Sequence, residues 1–175
     1  MINFVVSSLE DTILTDGQKN VPGDIIEYIS KLKKKNILFA VATSRNYDAV
    51  YPMFGSMKDE IIYICNDGGV IIYKDQTLCV NKIDRMLCMD VIKTTEGVPR
   101  FKLIFAGERN AVINQRDMEL EHMLMDANVH PVYEKDLNSV RNSLNKITIY
   151  APDGLDEQTY KNFYIKWSGK ANVSI

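Results

Sequence analysis

The sequence predicts an α/β fold built on an open sheet, and three observations carry that reading. Apolar runs at residues 2–6, 36–42 and 60–65 each give way to polar residues, the pattern of buried strands emptying into loops. Residues 22–34, between the first two runs, place Ile25, Ile26, Tyr28, Ile29 and Leu32 at helical spacing. The first run leads into small polar residues at its carboxyl end, where open α/β sheets hold their ligand sites.

In chain order, the strand at 2–6 runs through Ser7, Ser8, Leu9, Glu10 and Asp11 to Thr12, Ile13 and Leu14. The helix at 22–34 closes on Lys31, Lys33, Lys34 and Lys35, cations that complement the carboxyl end of the helix dipole. A second strand at 36–42 precedes Thr43, Ser44 and Arg45, and residues 47–55 read as a further helix with Pro52 near its first turn. After the third strand at 60–65 come Asn66, Asp67, Gly68, Gly69 and the apolar stretch 70–73. Beyond residue 82 the pattern gives a helix at 83–94 and a hairpin of 101–106 and 111–114 around Gly107. A helix at 118–127, a strand at 146–150, mainly helix over 155–167 and a last strand starting at 171–175 complete the chain.

Composition narrows the function classes. Of 175 residues, 46% are hydrophobic and 25% charged, ordinary for a soluble protein, with a formal net charge of −2. That balance, with no aromatic residues among the lysines at 31–35, argues against a nucleic-acid partner. No segment approaches the roughly 18 continuous apolar residues of a membrane span, and the N-terminus lacks the basic and apolar regions of a signal peptide. Cys65, Cys79 and Cys88 are odd in number and unpaired in spacing, which fits reduced thiols and a cytoplasmic location. Cys65 is expected to be a buried small hydrophobe rather than a reactive thiol. His122 and His130, with Glu119, Glu121 and Asp126 nearby, fit a surface helix better than a metal site. Met118, Met123 and Met125 are expected to pack internally, the alternative being an adaptable contact surface.

The segment Ser8-Leu9-Glu10-Asp11-Thr12-Ile13-Leu14 resembles, position by position, the first motif of the haloacid dehalogenase superfamily. In its Cof-type sugar phosphatases that motif is Asp-x-Asp-Gly-Thr followed by two apolar residues. Thr43-Ser44-Arg45 is similar to the family's second motif, Thr/Ser-Gly-Arg, and 66–69 to the Asn-Asn/Asp-Gly-Ala segment that opens a β-hairpin. The order and spacing of all three carry the resemblance. It implies a doubly wound, Rossmann-like sheet with an inserted α/β cap: residues 1–81 as the N-terminal part of the core, 82–175 as the cap. It also implies Mg²⁺-dependent hydrolysis of phosphomonoesters such as sugar phosphates. By the same resemblance Ser8 stands in the nucleophile position and Glu10 in that of the general acid and base. Thr43, Ser44 and Arg45 would bind phosphate, while Asp11, Thr12, Asn66 and Asp67 would line the pocket.

The departures from the motif bear on catalysis. A carboxylate nucleophile is ionised at neutral pH and ligates Mg²⁺, whereas the Ser8 hydroxyl needs a base and is a poorer metal ligand. Glu10 keeps the acid but adds a methylene, which moves its proton by roughly an ångström where such a misplacement costs on the order of 10²-fold. Asp11 puts a side chain where the motif has glycine. A full member also returns to its core through a Lys-Gly segment and a Gly-Asp-x-x-Asn-Asp loop, and the sequence reaches Ile175 without either. Gly169-Lys170 precedes the final expected strand and does not fill that role. The core is therefore expected to be incomplete and without a tight Mg²⁺ site, the Glu10 carbonyl being the one family ligand left. With the strands after the cap missing, the first strand becomes a sheet edge, open to a second copy or a complementing chain. Three readings follow. The chain is an inactive homologue that binds a phosphorylated metabolite, a phosphatase of altered mechanism or completed by a partner, or a protein-interaction module.

Overall fold

A computed structural model describes residues 2–15, 18, 20–98, 100–127, 129–135 and 144–174. Its first sheet has five strands, β1 (Phe4–Ser8), β2 (Leu38–Ala42), β3 (Ile61–Cys65), β4 (Val70–Tyr73) and β5 (Gln76–Val80), in that spatial order. The first three run parallel and the last two form an antiparallel hairpin. β2 is central among the parallel strands, so Phe39, Ala40 and Val41 are buried in succession, as a strand covered on both faces requires. β1 lies at the edge of the described sheet and alternates, with Phe4 48% and Val6 49% exposed.

Helix α1 (Gly23–Lys34) crosses from β1 to β2, packing Ile25, Ile26, Ile29 and Leu32 on the core with Lys31, Lys33 and Lys34 in its last turn. The helix expected at 47–55 is shorter. α2 spans Tyr47–Val50 and passes into 3₁₀ turns over Tyr51–Glu60 that are interrupted at Gly55, where φ is +50°. Pro52 has no backbone N–H to donate, and the left-handed Gly55 breaks the α-helical repeat. These turns still bury Met53, Phe54 and Met57, and Phe54 meets Tyr63 of β3 edge-on at 5.8 Å between ring centroids.

The second sheet holds β6 (Lys102–Ala106), β7 (Ala111–Ile113), β8 (Val132–Tyr133) and β9 (Lys146–Tyr150), in the order β8-β7-β6-β9. α3 (Arg85–Thr95), α4 (Met118–Asp126) and α5 (Glu157–Trp167) each begin at an aspartate, Asp84, Asp117 and Asp156, whose side chain accepts backbone N–H groups of the first turn. Leu87 and Val91 of α3 and Trp167 of α5 pack with Leu103, Ile147 and Ile149 on one face of the sheet. The period-2 alternation of a strand sends Ile104, Ala106, Lys146 and Thr148 to the other face, which lines a cleft against the first sheet.

Two expectations about this part are corrected. Residues 172–174 form no strand: the N–H groups of Lys170 and Ala171 close onto the Trp167 carbonyl, and Ala171 and Val173 pack beside Trp167 instead of entering a ladder. Ile175 lies outside the described residues. Of the three methionines expected to pack, Met118 and Met125 are exposed, because they fall on the face of α4 opposite Leu120 and Leu124; Met123 alone joins that cluster.

Candidate functional site

Strand register assembles the site. Ser8 pairs with Ala42 across β1 and β2, and Ala42 with Ile64 across β2 and β3, so the three parallel strands end level. The loops that follow are tied together by backbone hydrogen bonds. Leu9 N–H donates to the Ala42 carbonyl at 2.8 Å, Thr43 N–H to Ile64 at 3.0 Å, Asn66 N–H to Arg45 at 3.1 Å and Asp67 N–H to Thr43 at 3.1 Å. Residues far apart in sequence thereby share one end of the sheet, where ligand sites of open α/β folds fall.

The Ser8 side chain, itself exposed, donates its hydroxyl proton to the Glu10 carbonyl at 2.7 Å. The Glu10 carboxylate turns to the second loop, where its Oε1 accepts from Thr43 Oγ1 at 2.7 Å and from Arg45 Nε at 3.2 Å. Thr43 is 6% exposed, and its Oγ1 in turn accepts the Arg45 backbone N–H at 3.1 Å. The Ser44 side chain is exposed, and its carbonyl accepts Lys146 Nζ at 3.1 Å. Asp11 and Thr12 are exposed and do not line the cleft. Asp11 has φ +62°, a left-handed conformation that suits the glycine expected in the motif and that aspartate tolerates better than most residues.

From the third loop, Asn66 is 3% exposed and reaches the second sheet. Its Nδ2 donates to Asn145 Oδ1 at 2.9 Å and to the Gly107 carbonyl at 3.2 Å, while Asn145 Nδ2 donates to the same carbonyl at 2.8 Å. Beside this knot the Asp67 carboxylate pairs with Lys146 Nζ at 2.6 Å. Both Asn66 and Asp67 hold positive φ, +54° and +56°, which turns the chain sharply into β4. Further along the contact, Arg109 pairs with the Asp75 carboxylate and stacks its guanidinium over the Tyr47 ring at 5.2 Å. Burial pushes the nearby Asp48 carboxyl up from its ordinary value, against the pull of Arg109.

The cleft between the sheets has a volume of about 510 Å³. Ser44, Arg45, Asn46, Met53 and Asn66 line one side, the β6 and β9 residues the other, and Leu124, Asp126, Ala127 and Val129 of the α4 region a third. Two buried amide atoms in its wall, Asn46 Nδ2 and Asn66 Oδ1, have no hydrogen-bond partner among the described residues. A smaller groove on α5, lined by Tyr160, Lys161, Tyr164 and Ile165, shares none of these residues. Burial, reinforced by the Glu10 charge, pushes the Cys65 thiol up to about 12, so it stays protonated and unreactive at neutral pH. Lys146, Asn145 and Asn46 are site residues that the motifs did not indicate; only the strand alternation of β9 bears on Lys146.

Mg²⁺ does not fit this arrangement. The Ser8 hydroxyl offers no carboxylate and donates to the Glu10 carbonyl, while the Glu10 carboxylate is engaged by Thr43 and Arg45. Among the described residues no three His, Cys, Asp or Glu gather as a metal-holding group, and no helix is long and apolar enough to cross a membrane.

The three parallel strands thus end in three linked loops that face a second α/β unit across the cleft, the arrangement of an α/β protein with its site at the carboxyl ends of its strands. The chain belongs to the haloacid dehalogenase-like hydrolase family, whose model matches residues 5–175. No curated protein matches it. Among solved structures, a protein from Eubacterium rectale superposes with a TM-score of 0.85 at 19% identity, covering 99% of this chain and 67% of that one. A HAD/COF-like hydrolase from Plasmodium vivax gives 0.75 at 15% identity, covering 95% and 62%. A HAD subclass IIB sugar phosphatase gives 0.70 at 16%, covering 93% and 62%. The chain thus spans about two thirds of the length of these structures, and at such identities the likeness is one of fold.

Proposed function

We propose that this chain is a catalytically inactive relative of the Cof-type phosphatases that holds a phosphorylated small molecule in the cleft, with residues 82–175 acting as its cap. The observation that carries this reading is the hydrogen bond from Ser8 Oγ to the Glu10 carbonyl at 2.7 Å. A serine attacks phosphorus only when a base removes its proton, and among the described residues no side chain is bonded to this hydroxyl. Glu10, in the acid/base position, is held away by Thr43 and Arg45. The unpartnered donor Asn46 Nδ2 and acceptor Asn66 Oδ1 in the cleft wall support a ligand bearing hydroxyl groups, which can both accept and donate. Sugar phosphates are the first class to test, since one structural neighbour is a sugar phosphatase. Cys65 and Cys79, which form no disulfide among the described residues, support a cytoplasmic location.

The test is hydrolysis of a panel of sugar phosphates and an aryl phosphate in the presence of Mg²⁺, wild type beside Ser8→Ala. The expected result is no turnover above the Ser8→Ala control. Turnover that disappears with Ser8 would establish the alternative, a serine-based phosphatase of altered mechanism.

A second reading, an assembly module, rests on β1. Its outer edge is unpaired among the described strands, with Phe4 and Val6 half exposed. A second copy or a completing chain adding there is read by sedimentation velocity across concentration. Association weakened by Val6→Lys supports it, and a monomer at all concentrations sinks it.

A further inference from the structure

Thr43 Oγ1 and Arg45 Nε converge on a single oxygen, Glu10 Oε1, from 2.7 and 3.2 Å. Two donors meeting at one anionic oxygen is the arrangement that binds an oxygen of a tetrahedral oxyanion. Thr43 is held in place from several sides. Its backbone N–H is bonded to Ile64, its carbonyl accepts Asp67 N–H, and its hydroxyl oxygen accepts Arg45 N–H while the hydroxyl proton goes to the carboxylate. The terminal guanidinium nitrogens of Arg45 carry no hydrogen bond among the described residues, and Arg45 lines the cleft. The pair is partly open to solvent, each side chain 34% exposed, so the carboxylate can leave without unfolding its surroundings.

We infer that Thr43 and Arg45 form an oxyanion cradle whose resident anion is the chain's own Glu10 carboxylate, an internal competitor that an incoming phosphate group must displace. This rests on the proposed binding of a phosphorylated molecule and adds a residue that opposes it. A phosphate in the cradle gains the same donors but also meets the displaced glutamate charge a few bonds away. Removing that charge removes both the competitor and the repulsion. Glu10 is then a gate on phosphate: with its carboxylate in place the cradle is occupied, and without it the cradle is open.

The experiment uses inorganic phosphate as probe on the full chain. Thermal melts in sodium phosphate are compared with sodium chloride of equal ionic strength, and dissociation constants are taken from phosphorus NMR line broadening. The variants are wild type, Glu10→Gln, Glu10→Ala and Glu10→Ala combined with Thr43→Val. Phosphate is expected to raise the Tm of Glu10→Ala but not of wild type, with binding at least ~10-fold tighter. Glu10→Gln, which keeps size but loses charge, is expected to fall between them, and Thr43→Val to abolish the gain. Equal phosphate affinity in wild type and Glu10→Ala overturns the inference, as does a gain that survives Thr43→Val. It also falls if folded Glu10→Ala and Glu10→Gln both ignore phosphate. Ser8-dependent turnover by wild type would instead overturn the inactive-homologue reading, so the two failures are told apart.

Discussion

Asn66 and Asn145 touch side chain to side chain at 2.9 Å across 79 positions of sequence, and with the Gly107 carbonyl they form the buried polar link between the two sheets. The link lies beside the cleft, so it sets the spacing of the walls that a ligand would meet. Polar groups buried this deeply are worth most when every member is satisfied, and removing one partner exposes the desolvation cost of the others.

Asn145→Ala removes an acceptor from Asn66 Nδ2 and a donor from the Gly107 carbonyl. Urea unfolding is expected to show a loss of about 1–3 kcal/mol, the range for leaving buried partners unsatisfied. A change within experimental error would mean that the link is not stabilising.

Gly69 is packed against the same link. A Cβ there would lie 2.9 Å from Asn145 Oδ1 and 3.0 Å from the Asn66 carbonyl. Gly69→Ala should therefore destabilise the wild type, and less so in the Asn145→Ala background, where the side-chain half of the clash is gone. A double-mutant cycle checks this, and additivity of the two changes would refute the coupling.

Phe54 is fully buried against Tyr63 in the first sheet's core. Phe54→Ala is expected to cost about 3–5 kcal/mol, the usual loss on deleting a buried ring. It acts through a core remote from the α3 and α5 cluster around Trp167, so its effect should add to that of Trp167→Phe in chemical denaturation.

Asp156 supplies the pH dependence. The Thr159 hydroxyl and backbone N–H, with Arg100, hold its carboxyl at about 2, below the ordinary aspartate value of 3.8. Because the folded value is depressed, the stabilisation is complete above about pH 4 and is lost as pH falls towards 2. Asp156→Asn keeps an oxygen acceptor for the Thr159 N–H but does not titrate. The variant should therefore show a shallower fall in stability than wild type between about pH 4 and about pH 2. Identical slopes would show that this helix cap does not couple to folding.

Much of the fold is legible in the chain because strand burial writes itself locally. Val41 and its neighbours are apolar in succession since β2 is covered on both faces, and α1 shows its buried side at helical spacing. The turns over Tyr51–Glu60 read in part as continuous helix because Met53, Phe54 and Met57 keep a helix-like spacing while Gly55 reverses the backbone between them. β8, only Val132–Tyr133, is too short to carry a period. In the site, the motif residues fall where the strand ends are expected. The partnership of Glu10 with Thr43 and Arg45 is not legible, since it depends on side-chain directions across 33 and 35 positions. Lys146 and Asn145 are hidden for the same reason: they reach the site through the pairing of β9 with β6 and the facing of two sheets, neither of which leaves a local mark.

The ion pair at Glu10 also couples positions that lie far apart in sequence. A lone change at position 8 leaves Thr43 and Arg45 bonded to the Glu10 carboxylate. The contact thus ties the identity of residue 10 to those of residues 43 and 45: a substitution at any one of the three changes what the other two can bind.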